Sequence, residues 1–143
     1  MSQDACIFCQ IVRGDAPAAH VYEDEQTLVF MDIAPLSRGH LLVIPREHAE
    51  NLYEISADSL AAVARTSHRI APVLRRVLEP EGLRILQLNG AAAGQTVFHY
   101  HVHLIPREDG EGFDFANRKA ADRGELSRLA ARLMESLQRG PQK

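Results

Sequence analysis

Long apolar runs are missing from this chain of 143 residues. The longest cover about five residues, against the roughly 20 that a membrane span needs, so no membrane partner is expected. Cysteine is scarce. Cys6 and Cys9 are the only two, which excludes a disulfide scaffold and suggests a metal or redox pair. Positive charge is not in excess: 16 Lys and Arg stand against 19 Asp and Glu, a formal net charge of −3. No diffuse positive field is available to gather nucleic acid. The opening MSQDACIFCQ has no basic stretch leading into an apolar one, so the reading is a cytoplasmic chain without a signal peptide. Ser/Gly-rich linkers, low-complexity tracts and internal repeats are missing as well.

What is present is ordinary for a globular domain, with 45% hydrophobic and 24% charged residues. A chain of this length buries roughly 68–70% of its unfolded surface, enough for one core. The expectation is a catalytic domain over residues 1–110 and a charged tail over 111–143 that returns as a helix.

Periodicity supplies the elements. Ile7, Phe8, Ile11 and Val12 recur at helical spacing, with Gly14 closing the helix. Val21-Tyr22 and residues 27–31 read as strands around the acidic turn Glu23-Asp24-Glu25. Residues 40–44 form a nearly continuous apolar strand ended by Pro45. Ser56 caps a long helix over about residues 57–79. Its stripe is Leu60, Val63, Ala64, Ser67, Ile70, Ala71, Leu74, Val77 and Leu78. Pro72 is expected to kink it. Residues 83–88 and 97–105 read as strands, and Leu126, Leu129, Ala130, Leu133 and Leu137 as a last amphipathic helix. This order fits an α+β domain, an antiparallel sheet of about five strands with helices on one side.

Three of the seven histidines fall within five residues, as His99-Tyr100-His101-Val102-His103. On one strand all three imidazoles share a face, about 6.6–6.8 Å between neighbours. Such a row can follow an extended polyphosphate or divide several roles, but cannot close around one metal. Upstream, Asn89-Gly90-Ala91-Ala92-Ala93-Gly94-Gln95-Thr96 offers small residues that let backbone amides approach an anion. Two rivals stand beside an enzyme that handles an extended polyphosphate. One is a metal-dependent hydrolase using the His-x-His pair, disfavoured because no acid near the pair in sequence completes a ligand set. The other is a non-catalytic nucleotide sensor.

The stretch from Gly94 to Arg107, with His99, His101 and His103 inside it, resembles the signature of the histidine triad (HIT) family of nucleotide hydrolases and transferases. Residues 6–11, 30–35 and 39–45 extend the similarity, which covers about residues 5–107. The resemblance implies cleavage at the α-phosphate of nucleoside phosphoramidates or dinucleoside polyphosphates, through a nucleotidyl-histidine. It makes His101 the nucleophile and sets His103 on the phosphoryl oxygens or the leaving atom. His99 orients the row, and His40 is a fourth histidine that tunes it or serves as a cap. Gln95 and Thr96 would hold phosphate, and Asn89 would brace the site. Asp32 would accept both ribose hydroxyls, and Ile7, Phe8, Ile11, Phe30 and Ile33 would form the slot for a purine base. In family members with this Cys-x-x-Cys, zinc is structural. The matching ligands here are Cys6, Cys9, His48 and His99, the alternative being two plain buried thiols. A homodimer is implied, and no metal is required for the chemistry.

Overall fold

The computed structural model describes residues 3–112 and 118–141. In chain order the elements are α1 (Ile7–Arg13), β1 (His20–Glu23), β2 (Thr27–Met31), β3 (Leu41–Pro45), α2 (Ala57–Leu78), β4 (Gly82–Leu86), β5 (Val102–Arg107) and α3 (Arg123–Arg139). The strands form one antiparallel sheet in the order β1-β2-β3-β5-β4. The fold is the α+β architecture expected.

Local chemistry explains the helix ends. Cys6 caps α1, its sulfur accepting from the Cys9 amide at 3.4 Å, and Gly14 closes it at φ 81°. Ser56 caps α2 by accepting from Ser59 N–H at 3.1 Å. Asp122 does the same for α3 through Glu125 N–H at 3.0 Å, with Glu125 three residues on as in a capping box.

Alternation along the strands separates two cores. Val29 and Met31 of β2, Leu41 and Val43 of β3 and Leu104 of β5 face α2 and α3. Leu126, Leu129, Ala130 and Leu133 carry α3 into that same core. On the other face Leu28, Phe30, Leu42 and Ile44 meet Phe8, Cys9 and Ile11 of α1. The two long helices thus share one side of the sheet, and the short α1 covers part of the other. Register places Phe30 opposite Leu42 and Leu42 opposite His103, so those three lie in one row on the α1 face.

Two sequence expectations need correction. The strand expected over residues 97–105 starts only at Val102, because Tyr100 N–H donates out of the sheet to Ala49 C=O at 2.7 Å. The inward face of α2 is Ala62, Val63, Thr66, Ile70, Val73 and Leu74. Leu60, Val77 and Leu78 pack against that core as partly buried residues, whereas Ala64, Ser67 and Ala71 line a groove facing β4. Pro72 lies inside α2, on its exposed side.

Candidate active site and metal centre

The triad is not one row. His99 precedes the strand and turns away to a cluster with Cys6, Cys9 and His48. His99 Nε2–H donates to Pro45 C=O at 2.8 Å, which leaves Nδ1 as the ring's lone-pair nitrogen. That Nδ1 lies 3.5 Å from each cysteine sulfur, and His48 Nδ1 lies 3.2 Å from Cys9 Sγ. Zinc–sulfur bonds near 2.3 Å and zinc–nitrogen bonds near 2.0–2.1 Å place S and N about 3.5 Å apart on a tetrahedron. The donor set and spacing therefore fit a tetrahedral cation. Burial, then the Cys6 sulfur beside it, push the Cys9 thiol up to about 11. The two cysteines reach the site together because the cap of α1 turns both sulfurs to one end of the helix.

His101 and His103 stay together, ring centroids 4.9 Å apart. This is closer than a regular strand would hold them, since His101 lies just outside β5. His101 Nδ1–H donates to the His99 carbonyl at 2.7 Å, so Nε2 keeps its lone pair. Leu36 N–H donates to His40 Nδ1 at 3.0 Å, which puts the His40 proton on Nε2. His40 Nε2–H then faces His103 Nδ1 at 2.9 Å and Asp32 Oδ2 at 3.5 Å. His103 accepts through Nδ1 and carries its own proton on Nε2. The hydrogen-bond network assigns these tautomers.

All these rings are neutral at pH 7. Burial lowers His40 and His99 to about 4 and His103 to about 3. Burial also lowers His101, against the opposing pull of its bond to the His99 carbonyl. A neutral His101 is a nucleophile. A neutral His103 with its proton on Nε2 is a hydrogen-bond donor.

Beside them opens a cavity of about 580 Å³. Its wall brings together Ile7, Phe8, Ile11, Phe30, Asp32, Ile33, Thr96, His101 and His103 from the sequence reading. Ile33 is 64% and Ile7 44% exposed, an unusual cost for large apolar side chains unless something covers them. Gln95 and Asn89 are not on that wall. The Gln95 carboxamide is used by Glu50 C=O, Val97 C=O and Gly90 N–H. Asn89 accepts from Leu52 N–H and pairs with Gln87. Both side chains brace the small-residue loop.

Sequence reasoning missed Arg118, Arg123 and Ser127, which line the cavity from the segment read only as a tail. Arg118 Nη1 donates to Asp32 Oδ2 at 2.9 Å. A single arginine in a charged stretch carries no pattern that would have revealed it. One argument against a metal hydrolase also changes. An acid does approach a histidine pair, for Asp32, His40 and His103 converge. However, His40 and His103 are hydrogen-bonded to each other and Asp32 to Arg118, so their ligand atoms already have partners.

Residues 13–110 match the HIT domain. Protein hit of Bacillus subtilis is 48% identical over 118 residues, covering 82% of this chain and 81% of that protein. An adenosine 5′-monophosphoramidase of Schizosaccharomyces pombe is 44% identical over 110 residues, 75% of this chain and 77% of that protein. Among solved structures, a Zn-bound histidine triad family protein from Mycobacterium smegmatis superimposes with a TM-score of 0.81. It is 43% identical and covers 94% of this chain and 96% of that one. With its paired His101 and His103 beside an apolar cavity, the chain belongs to the HIT domain family.

Proposed function

We propose that the protein is a nucleotide hydrolase acting at the α-phosphate of purine nucleoside phosphoramidates or dinucleoside polyphosphates. The observation that carries the reading is the bond from His101 Nδ1–H to the His99 carbonyl, which leaves Nε2 as a lone-pair nitrogen in a residue lining the cavity. Nε2 attacks the α-phosphorus and a P–N bond forms. The bond to the leaving group breaks on the opposite side, and that group departs with the electron pair and takes up a proton. The imidazole becomes a cationic nucleotidyl-histidine, steadied by its Nδ1–H on the carbonyl. Water then attacks the same phosphorus, the P–N bond breaks, and a nucleoside monophosphate leaves with His101 restored. His103 Nε2–H donates to a phosphoryl oxygen or the leaving atom, where negative charge develops. His40 keeps His103 in that tautomer.

Asp32 receives the ribose hydroxyls, Thr96 holds a phosphate oxygen, and the apolar wall from Ile7 to Ile33 takes the base. Zinc would be held by Cys6, Cys9, His48 and His99, as the fit of their spacing and the similar Zn-bound protein support. When bound it supplies a rigid anchor for His99, whose carbonyl orients the nucleophile. A homodimer is supported by the open edge of the sheet: β4 leaves Ile85 59% exposed beside the apolar groove along α2. Among the described residues no helix is long and apolar enough to cross a membrane; a cytoplasmic enzyme is the reading we favour.

The test is His101→Ala on a panel of phosphoramidates and dinucleoside polyphosphates, with products followed by mass spectrometry. Turnover should be abolished while nucleoside monophosphate binding stays within about tenfold, since the nucleophile's bond exists mainly in the transition state. Near-normal kcat in the variant, or trapped label on His103 rather than His101, would overturn the mechanism.

A further inference from the structure

Asp32 is a poorly accessible ribose acceptor as it stands. Its side chain is 8% exposed. Oδ1 accepts from Ala34 N–H at 2.8 Å, and Oδ2 accepts from Arg118 at 2.9 Å with His40 Nε2 3.5 Å away. A carboxylate offers about four lone-pair directions. Two are used outright, one of them by Arg118, and a third lies against His40. A ribose needs two acceptor directions and room to reach them, so Arg118 has to yield. It can yield towards the place proposed for the phosphate. Arg118 lines the same cavity as His101, His103 and Thr96, where the phosphate would sit. After burial and the opposing pull of Asp32, its charge lowers His40, and it contributes in the same direction at His103.

We propose that Arg118 is a specificity-determining residue that exchanges partners on binding, passing from the Asp32 carboxylate to the phosphate of the incoming nucleotide. This rests on the reading of Asp32 as the ribose acceptor. The exchange makes recognition conjunctive. A nucleoside alone takes the Asp32 carboxylate from Arg118 and offers no anion in exchange. A phosphate alone draws Arg118 away and leaves a buried carboxylate without its cation, which is costly. Only a ligand bearing both a ribose diol and a phosphoryl group satisfies both ions at once. The residue therefore selects nucleotides over the far simpler nucleosides, a discrimination that the apolar base slot cannot supply.

The experiment is calorimetric titration of the full-length, zinc-replete protein with adenosine, adenosine 5′-monophosphate and 2′,3′-dideoxyadenosine. Arg118→Met should tighten adenosine and weaken the monophosphate, each by about tenfold or more, the scale of one charge-assisted hydrogen bond. Dideoxyadenosine, which has no hydroxyls to claim Asp32, should be unchanged. Arg118→Lys keeps the charge but loses the planar fork, and should show the same opposite shifts at smaller size; it also serves if the Met variant does not fold. Adenosine and the monophosphate weakening together, or neither moving, would refute the exchange. Asp32→Asn separates the two ideas. If the wild-type preference for adenosine over its dideoxy analogue persists in that variant, Asp32 is not the ribose acceptor and the exchange falls with it. If the preference disappears while Arg118→Met changes nothing, only the role of Arg118 is wrong.

Discussion

Acidification should weaken this protein through the histidines of its own site. His40 and His103 are held neutral by burial, at about 4 and about 3, whereas an unfolded histidine titrates near 6.5. Between those values the unfolded chain binds protons that the folded chain refuses. The stability they support is complete above pH 6.5 and is lost as pH falls towards 4 and 3. Each depressed ring contributes a slope of about 1.4 kcal/mol per pH unit in that window, so from pH 7 to pH 5 each costs about 2 kcal/mol and the pair about 4. That is a large part of the 5–15 kcal/mol typical of a domain. Urea unfolding at pH 5, 6 and 7 on the native protein and on His40→Gln reads the effect. The variant should be less stable at pH 7, having lost its bond to His103, yet its slope should be shallower by about 1.4 kcal/mol per unit. Proton competition at the Cys/His cluster is common to both proteins and cancels in the difference. Equal slopes in the two proteins would refute the reasoning, because then His40 is not kept neutral by the fold.

Other outcomes follow from the same geometry. Cys9→Ser should reduce metal content from about one zinc per chain towards none and lower Tm, while His101→Ala keeps its zinc in full; elemental analysis and thermal melts check both, and the reverse pattern would move the metal into the catalytic pair. The native protein should sediment as the proposed dimer and Ile85→Glu, on the exposed edge of β4, as a monomer; a native monomer would refute the dimer, and a dimeric variant would place the interface elsewhere. Gly39→Ala should cost about 1–3 kcal/mol, since Gly39 has φ 92° and an added Cβ would strike the Leu78 side chain and crowd Pro106. Denaturant midpoints measure this, and an unaffected midpoint would mean that the loop before β3 shifts freely.

Much of this architecture could be read in the chain itself, because it is encoded within short windows. Residues 27–31 form β2 as read, and Ser56 and Gly14 mark helix ends where their side-chain oxygen and backbone freedom are needed. The Cys6-x-x-Cys9 spacing and the cluster of three histidines announced two chemistries. The resemblance already grouped His99 with His48 and the cysteines, but the physical reason for that division is not local. His99 belongs with sulfurs some 90 positions away, and only the folding of α1 against the end of β3 brings them within reach. Residues 97–101 lie outside the sheet, with Tyr100 N–H on Ala49 C=O, and the row that alternation alone would produce is broken. Periodicity likewise outlined the apolar side of α2 but not which part of it meets the core, since a wide stripe can satisfy both a core and an edge groove. Arg118 was the least visible of all. Its importance arises from a carboxylate 86 positions earlier, buried by strands it never neighbours in sequence. Local patterns determine which elements form, while long-range packing decides which side chains share a dry, charged space, and it is that sharing that sets their protonation and their chemistry.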